Sequence, residues 1–332
     1  MHRIAVLGAG SWGTALSLLL ARKGCDVTLW VWDPAQAEEM RKTGENPFFK
    51  GFKLPPNLSI TTSIPEAVEN AEAVVFVTIS SAVIDVAEQL KECLPAGIPV
   101  ISATKGLDGK TGLTVSQTLN SMLSGKNPVS ALSGPNLAFE VAKGIPTATV
   151  VACKDDSVAR EMQNLFMSPS MRVYTNHDVL GVELAGALKN VIAIAAGMCD
   201  GLGFGNNTKA ALLTRGLAEI TRLGMKLGAK QATFMGLAGV GDLMVTCASP
   251  LSRNHRVGCE IGQGKSLEDI MIEFGQVVAE GVPTTRAALA LSRKCDTPMP
   301  ITEKVFEILF EGKSPKDGVA ELMSREPKEE VW

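Results

Sequence analysis

A chain of 332 residues is long enough for one large domain or two ordinary ones with real cores. Its composition, 45% apolar and 20% charged with a mean hydropathy of +0.16, is that of a globular protein and excludes a low-complexity or disordered class. A formal charge of −3 gives no global attraction to nucleic acid or anionic membranes, so neither partner is expected, while a local basic pocket for an anion stays open.

The first half alternates strands with helices. "RIAVLG" is a short apolar strand, and "SWGTALSLLLARKG" follows as a helix with Trp12, Ala15, Leu16, Leu19 and Leu20 on one stripe, stopped by Gly24. "DVTLWVW" is β-branched and aromatic, hence a second strand; further strands are expected at 73–79, 98–104, 128–134 and 147–152, with helices at 80–93 and 155–167. This alternation predicts a mostly parallel sheet covered on both faces. After about residue 178 long helices follow (178–200, 207–228, 284–294, 301–311) without convincing strands. The expected organisation is an α/β Rossmann-type domain over 1–178, an all-α domain over 179–323, and a tail at 324–332.

Cysteines 25, 93, 153, 199, 247, 259 and 295 form no CxxC pair, and histidines 2, 177 and 255 have no metal or triad spacing. No metal is expected, and reduced thiols suit the cytoplasm. "MHRIAVLGAG" lacks the apolar region of a signal peptide, and no 18 uncharged apolar residues run together, so a soluble, cytoplasmic chain is expected.

"GAGSWG" follows a strand and opens a helix. Gly8 permits the tight turn, Gly10 lets a pyrophosphate approach the backbone, and Gly13 lets helix and strand pack closely. The structural alternative is a plain strand-to-helix turn; the surrounding elements favour a dinucleotide. At the end of the second strand, Asp33 would favour the ribose 2′-OH of NAD, whereas Trp32 fits neither NAD nor NADP, so the cofactor choice stays open. Ligands of open α/β sheets gather beyond the carboxyl ends of the strands, where "TISS", "SATKGL" and "LSGPN" lie. Lys105 there could meet a phosphate or a carbonyl oxygen, although a solvated loop lysine is the commoner case.

In the second half, "LAGALKNVIAIAAG" places Lys189 in an apolar helical run, where an ammonium is costly without a partner or a function. "GLAGVGD" has no strand before it and is not a second nucleotide loop; Asp242 is a candidate polar group at a helix end. In "PLSRNHR", Ser252 is an expected N-cap, with Arg253, Asn254 and Arg256 crowding the next turn. Those cations oppose the helix dipole unless an anion binds between them; an exposed basic turn is the equal alternative.

These residues together resemble bacterial-type NAD(P)-dependent sn-glycerol-3-phosphate dehydrogenase over nearly the whole chain. The likeness rests on "GAGSWGTALS", "SATKGL", "LSGPN", the long block "GVELAGALKNVIAIAAGMCDGLGFGNNTKAALLTRGLAE", "GLAGVGDLMVTC" and "SRNHRVG". It implies a helical second domain of the 6-phosphogluconate-dehydrogenase-like kind, a homodimer, and interconversion of dihydroxyacetone phosphate and sn-glycerol 3-phosphate for glycerophospholipid biosynthesis. By motif, Ser11, Trp12, Trp32, Lys105, Ala138, Arg253, Val278 and Glu280 would join Gly8, Gly10 and Gly13 at the cofactor. Lys105, Gly134, Asn136, Asp242, Ser252, Arg253 and Asn254 would face the substrate, and Lys189 would transfer the proton. This chain has Trp32 where the family often has Arg or His, Asn136 for a common Ser or Thr, and "VVAEG" one residue longer than the usual "VVEG".

For such a reaction Lys189 is expected to be the acid, its pKa lowered by desolvation, with Lys105 and Asn190 orienting the same oxygen and Arg253 holding the phosphate. Two alternatives remain at this level: another hydroxyacid or ketopantoate-type dehydrogenase, and a non-catalytic dinucleotide sensor.

Overall fold

The computed structural model describes residues 2–275, 279–327 and 329–330. Short extended runs, most of them apolar, form β1 (Arg3–Leu7), β2 (Asp26–Trp30), β3 (Leu58–Thr61), β4 (Ala73–Phe76), β5 (Val100–Ser102), β6 (Val129–Ser133), β7 (Thr147–Ala152) and β8 (Met171–Asn176). Between them run α1 (Ser11–Arg22), α2 (Pro34–Thr43), α3 (Ile64–Val68), α4 (Val83–Cys93), α5 (Val115–Met122), α6 (Ala138–Lys143) and α7 (Asp156–Phe166).

The sheet order is β3-β2-β1-β4-β5-β6-β7-β8. Neighbours are parallel throughout except β6 and β7, which are antiparallel. Leu7 is in register with both Trp30 and Phe76, so β1, β2 and β4 end together, and the chain order reverses beside β1. Such a reversal opens a crevice at the carboxyl edge. One face is covered by a core containing Leu16, Leu20, Met40 and Phe166, the other by one containing Ile64, Val68, Leu90 and Leu119.

The remaining chain is helical: α8 (Val179–Gly201), α9 (Asn206–Lys226), α10 (Gln231–Phe234), α11 (Asp242–Ala248), α12 (Arg253–Gly262), α13 (Leu267–Phe274), α14 (Gly281–Lys294), α15 (Pro300–Phe310) and α16 (Pro315–Met323). Its core surrounds α8, with Leu188, Ile192, Phe234, Val257 and Ala288 in contact. Helix α8 is long and apolar enough to cross a bilayer, yet it is almost wholly covered by protein.

Helix α12 lies backbone to backbone on α8. A Cβ on Gly197 would come within 2.0 Å of the His255 carbonyl oxygen, and one on Gly258 within 2.0 Å of that of Ile194. Gly201 and Gly262 meet the partner helix in the same way, at 2.2 Å from Cys259 O and 2.6 Å from Met198 O. Small residues four apart on both helices permit this approach, which any side chain would prevent.

Buried carboxylates cap α8 and other helices. Asp178 accepts from Gly181 N at 3.0 Å, Lys230 N at 2.8 Å and Thr233 Oγ1 at 2.7 Å. Glu219 accepts from Ile301 N at 2.8 Å, Thr302 N at 2.9 Å and Thr302 Oγ1 at 2.7 Å, satisfying the amides that start α15.

Strands β3 and β8 are additions to the sequence reading. β3 is only "LSIT", and β8, "MRVYTN", alternates buried and exposed positions at the sheet edge. Helix α2 was also unread, because it buries only Ala37 and Met40 and so has no stripe. Residues 328, 331 and 332 of the expected tail lie outside the described residues; from its described part, Glu330 O accepts from Arg215 Nη1 at 3.3 Å.

Candidate active site

The glycine loop links β1 to α1. Gly8 has φ +127°, and a Cβ there would lie 2.6 Å from Val77 O. A Cβ on Gly13 would lie 1.9 Å from Gly8 O, whereas one on Gly10 would meet nothing within 4 Å. Gly8 and Gly13 therefore serve the chain itself, and Gly10 leaves room for a ligand. No side chain caps α1, and its first turn holds no acid, so its amides and positive dipole end face that room. Asn46 braces the loop by donating to Ala9 O at 2.8 Å and Thr14 Oγ1 at 2.7 Å. Ala138 begins α6 and packs with Trp12 on a cluster of Leu18, Phe49 and Phe52.

Beyond β5 and β6 the second group of residues meets. Lys105 Nζ donates to Asp242 Oδ2 at 2.7 Å, Asn136 Oδ1 at 2.8 Å and Gly134 O at 3.1 Å. Lys189 Nζ donates to Asp242 Oδ1 at 2.6 Å and to Thr246 Oγ1. Gly134 adopts φ +139°, which turns its carbonyl towards Lys105 directly after β6. Gly186 brings α8 against this edge, since a Cβ there would lie 2.6 Å from Ser133 Oγ and 3.7 Å from Lys105 Cγ.

Asp242 is only 1% exposed and Lys189 5%, so two ammonium groups share one dry carboxylate. With both lysines protonated the cluster keeps one surplus positive charge, suited to an anionic ligand. Burial, together with the neighbouring Lys189, lowers the Lys105 pKa to about 8, although the Asp242 carboxylate opposes the shift. Lys189 is thus not an isolated charge in apolar surroundings: Asp242 compensates its desolvation directly. The turn before Asp242, Leu237–Gly241, is π-helical, and Gly239 sits so close to Phe234 that a Cβ would fall 1.9 Å from its carbonyl oxygen. The motif "GLAGVGD" therefore sets the start of α11.

A third group bridges the halves. Ser252 caps α12 by accepting from His255 N at 3.3 Å. Arg253 Nη2 donates to Ser11 Oγ at 2.8 Å. Asn254 Oδ1 accepts from Gly281 N at 2.8 Å, and Asn190 is buried beside the same glycine. Glu280 accepts from Ser80 N at 2.9 Å and from Ser80 Oγ at 2.5 Å. Burial raises the Glu280 pKa, while the Ser80 bonds and Arg253 act against that rise.

Of the residues expected at the site, Lys105 and Lys189 meet on the Asp242 carboxylate, Gly134 and Asn136 accept from Lys105, and Ser11 and Arg253 meet directly. Trp32 stands apart from that cluster, 77% exposed just beyond β2. Val278 lies outside the described residues. Thr246 was missed, and Ser80, part of "TISS", was placed at a strand end without its partner Glu280. Thr246 could have been found from its i+4 spacing to Asp242, which puts both on one helix face.

A crevice of this kind, with phosphate-ready amides on one side and a proton-bearing lysine on the other, defines the class of nicotinamide-dependent dehydrogenases. Family models described as NAD-dependent glycerol-3-phosphate dehydrogenase N-terminus and C-terminus match residues 3–159 and 178–320. A protein of Geobacter sulfurreducens named glycerol-3-phosphate dehydrogenase [NAD(P)+] is 50% identical, with 100% of this chain and 99% of that protein covered. The crystal structure of glycerol-3-phosphate dehydrogenase from Coxiella burnetii superposes with a TM-score of 0.94 at 39% identity, covering 98% of this chain and 99% of that one. The chain belongs to the NAD-dependent glycerol-3-phosphate dehydrogenase family. A ketopantoate reductase from Ralstonia eutropha shares the fold alone, at a TM-score of 0.61 and 17% identity over 96% of this chain and 99% of that one.

Proposed function

We infer that the chain catalyses the reversible NAD(P)H-dependent reduction of dihydroxyacetone phosphate to sn-glycerol 3-phosphate, the step that supplies the backbone of glycerophospholipids. The observation that carries this is the sharing of the Asp242 carboxylate by Lys189 and Lys105, 2.6 and 2.7 Å away, at the carboxyl edge of a dinucleotide-type sheet. Bound NAD(P)H supplies a hydride to the substrate carbon. The protein has to hold that carbon in place and deliver one proton to its oxygen.

Lys189 is the proton donor in the reducing direction and the acceptor in reverse. Asp242 and Thr246 fix its Nζ, which removes the rotamer freedom of a long side chain. Lys105, oriented by Gly134 and Asn136, adds positive charge beside the developing alkoxide. Arg253 takes the substrate phosphate, for which its planar fork is suited, with Ser252, Asn254 and the start of α12 around it. Gly8, Gly10, Ser11, Trp12 and Gly13 hold the dinucleotide with Trp32, Lys105, Ala138, Arg253, Val278 and Glu280 along its length. Support for the cofactor side comes from the open space at Gly10 and the uncapped amides of α1.

We further propose a division into a dinucleotide-binding domain at 1–178, a helical substrate domain at 179–323 and a tail at 324–332, and a cytoplasmic homodimer without nucleic-acid or membrane partners. The deciding assay follows oxidation of NADH and NADPH in parallel with dihydroxyacetone phosphate, against 2-oxo and 3-oxo acids. Turnover confined to dihydroxyacetone phosphate is expected. Preference for an oxo acid would support the ketopantoate-type alternative, and binding without turnover would support a sensor.

A further inference from the structure

We propose that Asp200, His255 and Cys259 form a binding site for a divalent transition metal of the zinc class, which ties the end of α8 to α12. Among the described residues these three side chains bring one donor atom each within 4.8 Å of one another. His255 Nε2 lies 2.8 Å from Asp200 Oδ2 and 3.9 Å from Cys259 Sγ. His255 and Cys259 stand one turn apart on the same face of α12, and Asp200 comes from the last turn of α8. No local spacing reveals the set, since Asp200 precedes His255 by 55 positions. The donors sit on rigid backbone. A Cβ on Gly197 would come within 2.0 Å of His255 O and 2.8 Å of Cys259 N, and one on Gly201 within 2.2 Å of Cys259 O. The glycine contacts between the helices therefore seat both α12 donors against the stretch of α8 that ends in Asp200.

A mixed set of nitrogen, sulfur and oxygen donors suits zinc, whereas calcium and magnesium take oxygen alone. Tetrahedral zinc holds nitrogen about 3.4 Å from oxygen and about 3.6 Å from sulfur, so the sulfur is nearly in place and the carboxylate has to recede by about half an ångström. The side chains of Asp200 and Lys209 are 28% and 26% exposed, which gives both room to move and opens a path from solvent. Lys209 Nζ neutralises Asp200 at 2.7 Å, and the ion would replace that ammonium. On binding, the Cys259 thiol proton passes to solvent; the thiolate and the carboxylate then balance the two positive charges, and water completes the fourth position. Asp200 lies about 16 Å along the axis of α8 from Lys189 at the usual rise per residue, so the ion stands apart from the proton-transfer group.

The full chain, free of any affinity tag and stripped of metal by a chelator, is titrated with cobalt(II) and then with zinc. One equivalent of cobalt should give the intense visible bands of a four-coordinate ion and a near-ultraviolet sulfur-to-cobalt band, both abolished by one equivalent of zinc. Cys259→Ser should lose the near-ultraviolet band and weaken zinc at least about tenfold, since even outer-shell changes at zinc sites cost that much. Circular dichroism checks that this variant is folded. Lys209→Met should tighten zinc about two- to fivefold, the scale of a part-exposed ion pair that no longer competes for Asp200. The proposal is overturned if the unaltered chain binds no cobalt or gives only the pale spectrum of a six-coordinate ion. A sulfur-to-cobalt band that survives Cys259→Ser overturns it too, because another thiol then holds the metal, as does zinc affinity that Lys209→Met leaves unchanged.

Discussion

Arg253 Nη2 lies 2.8 Å from Ser11 Oγ and donates to it. The contact joins the start of α12 to the first residue of α1, so the helix that carries the cations also reaches the glycine loop. Glu280, which holds Ser80 across the same junction, lies close enough to stabilise the Arg253 charge against burial. On the proposed reading, the substrate and cofactor sites would share this guanidinium rather than lie side by side.

Arg253→Ala should weaken both ligands. The Michaelis constant for dihydroxyacetone phosphate should rise at least about tenfold, since hydrogen bonds to charged groups contribute about 1.5–3 kcal/mol. Discrimination against unphosphorylated dihydroxyacetone should flatten in the same assay. Unchanged discrimination would move the phosphate site away from α12.

Lys189→Ala should lower kcat by about 100-fold or more, the scale of a lost general acid. Asp242 would still be paired with Lys105, so the fold should survive, which circular dichroism can check. A variant altered mainly in its Michaelis constant would count against proton transfer by Lys189.

The pH dependence follows from Lys105, whose proton is held with a pKa of about 8. As pH rises through that value the cluster around Asp242 loses one positive charge, so kcat/KM for an anionic substrate should fall on the alkaline side. Because the charges are coupled, the limb belongs to the cluster as a whole. Lys105→Arg should move the limb upward, since a guanidinium keeps its proton. A profile flat well past pH 8 would remove Lys105 from substrate binding.

Glu219→Ala should destabilise the protein by about 2–4 kcal/mol, because it leaves the buried amides of Ile301 and Thr302 without an acceptor. Urea unfolding measures the loss. Glu219 makes none of the contacts described at Asp242 or the glycine loop, so turnover per folded molecule should change little.

Much of this architecture was legible wherever one residue has one physical justification. Gly8 and Gly13 could be assigned because only glycine fits beside Val77 O and Gly8 O. Lys189 was conspicuous as a charge in an apolar run, but its environment was not, because Asp242 lies 53 positions away and pairs across helices. No local pattern encodes such a pairing. The same holds for Ser80 and Glu280, separated by 200 positions. Strand β8 was illegible for a different reason: its polar, half-exposed sequence is stabilised by pairing with β7 rather than by its own apolar content.

The glycines shared by α8 and α12 act as a fixed calliper. Lys189 stands on one jaw and Arg253 on the other, and the backbones touch with no side chain between them to compress or relax. On the proposed assignment, the spacing of the helices that carry the proton donor and the phosphate cation is thereby set by main-chain contact. A molecule with one more or one fewer carbon between its carbonyl and its phosphate would be measured against an unyielding gauge.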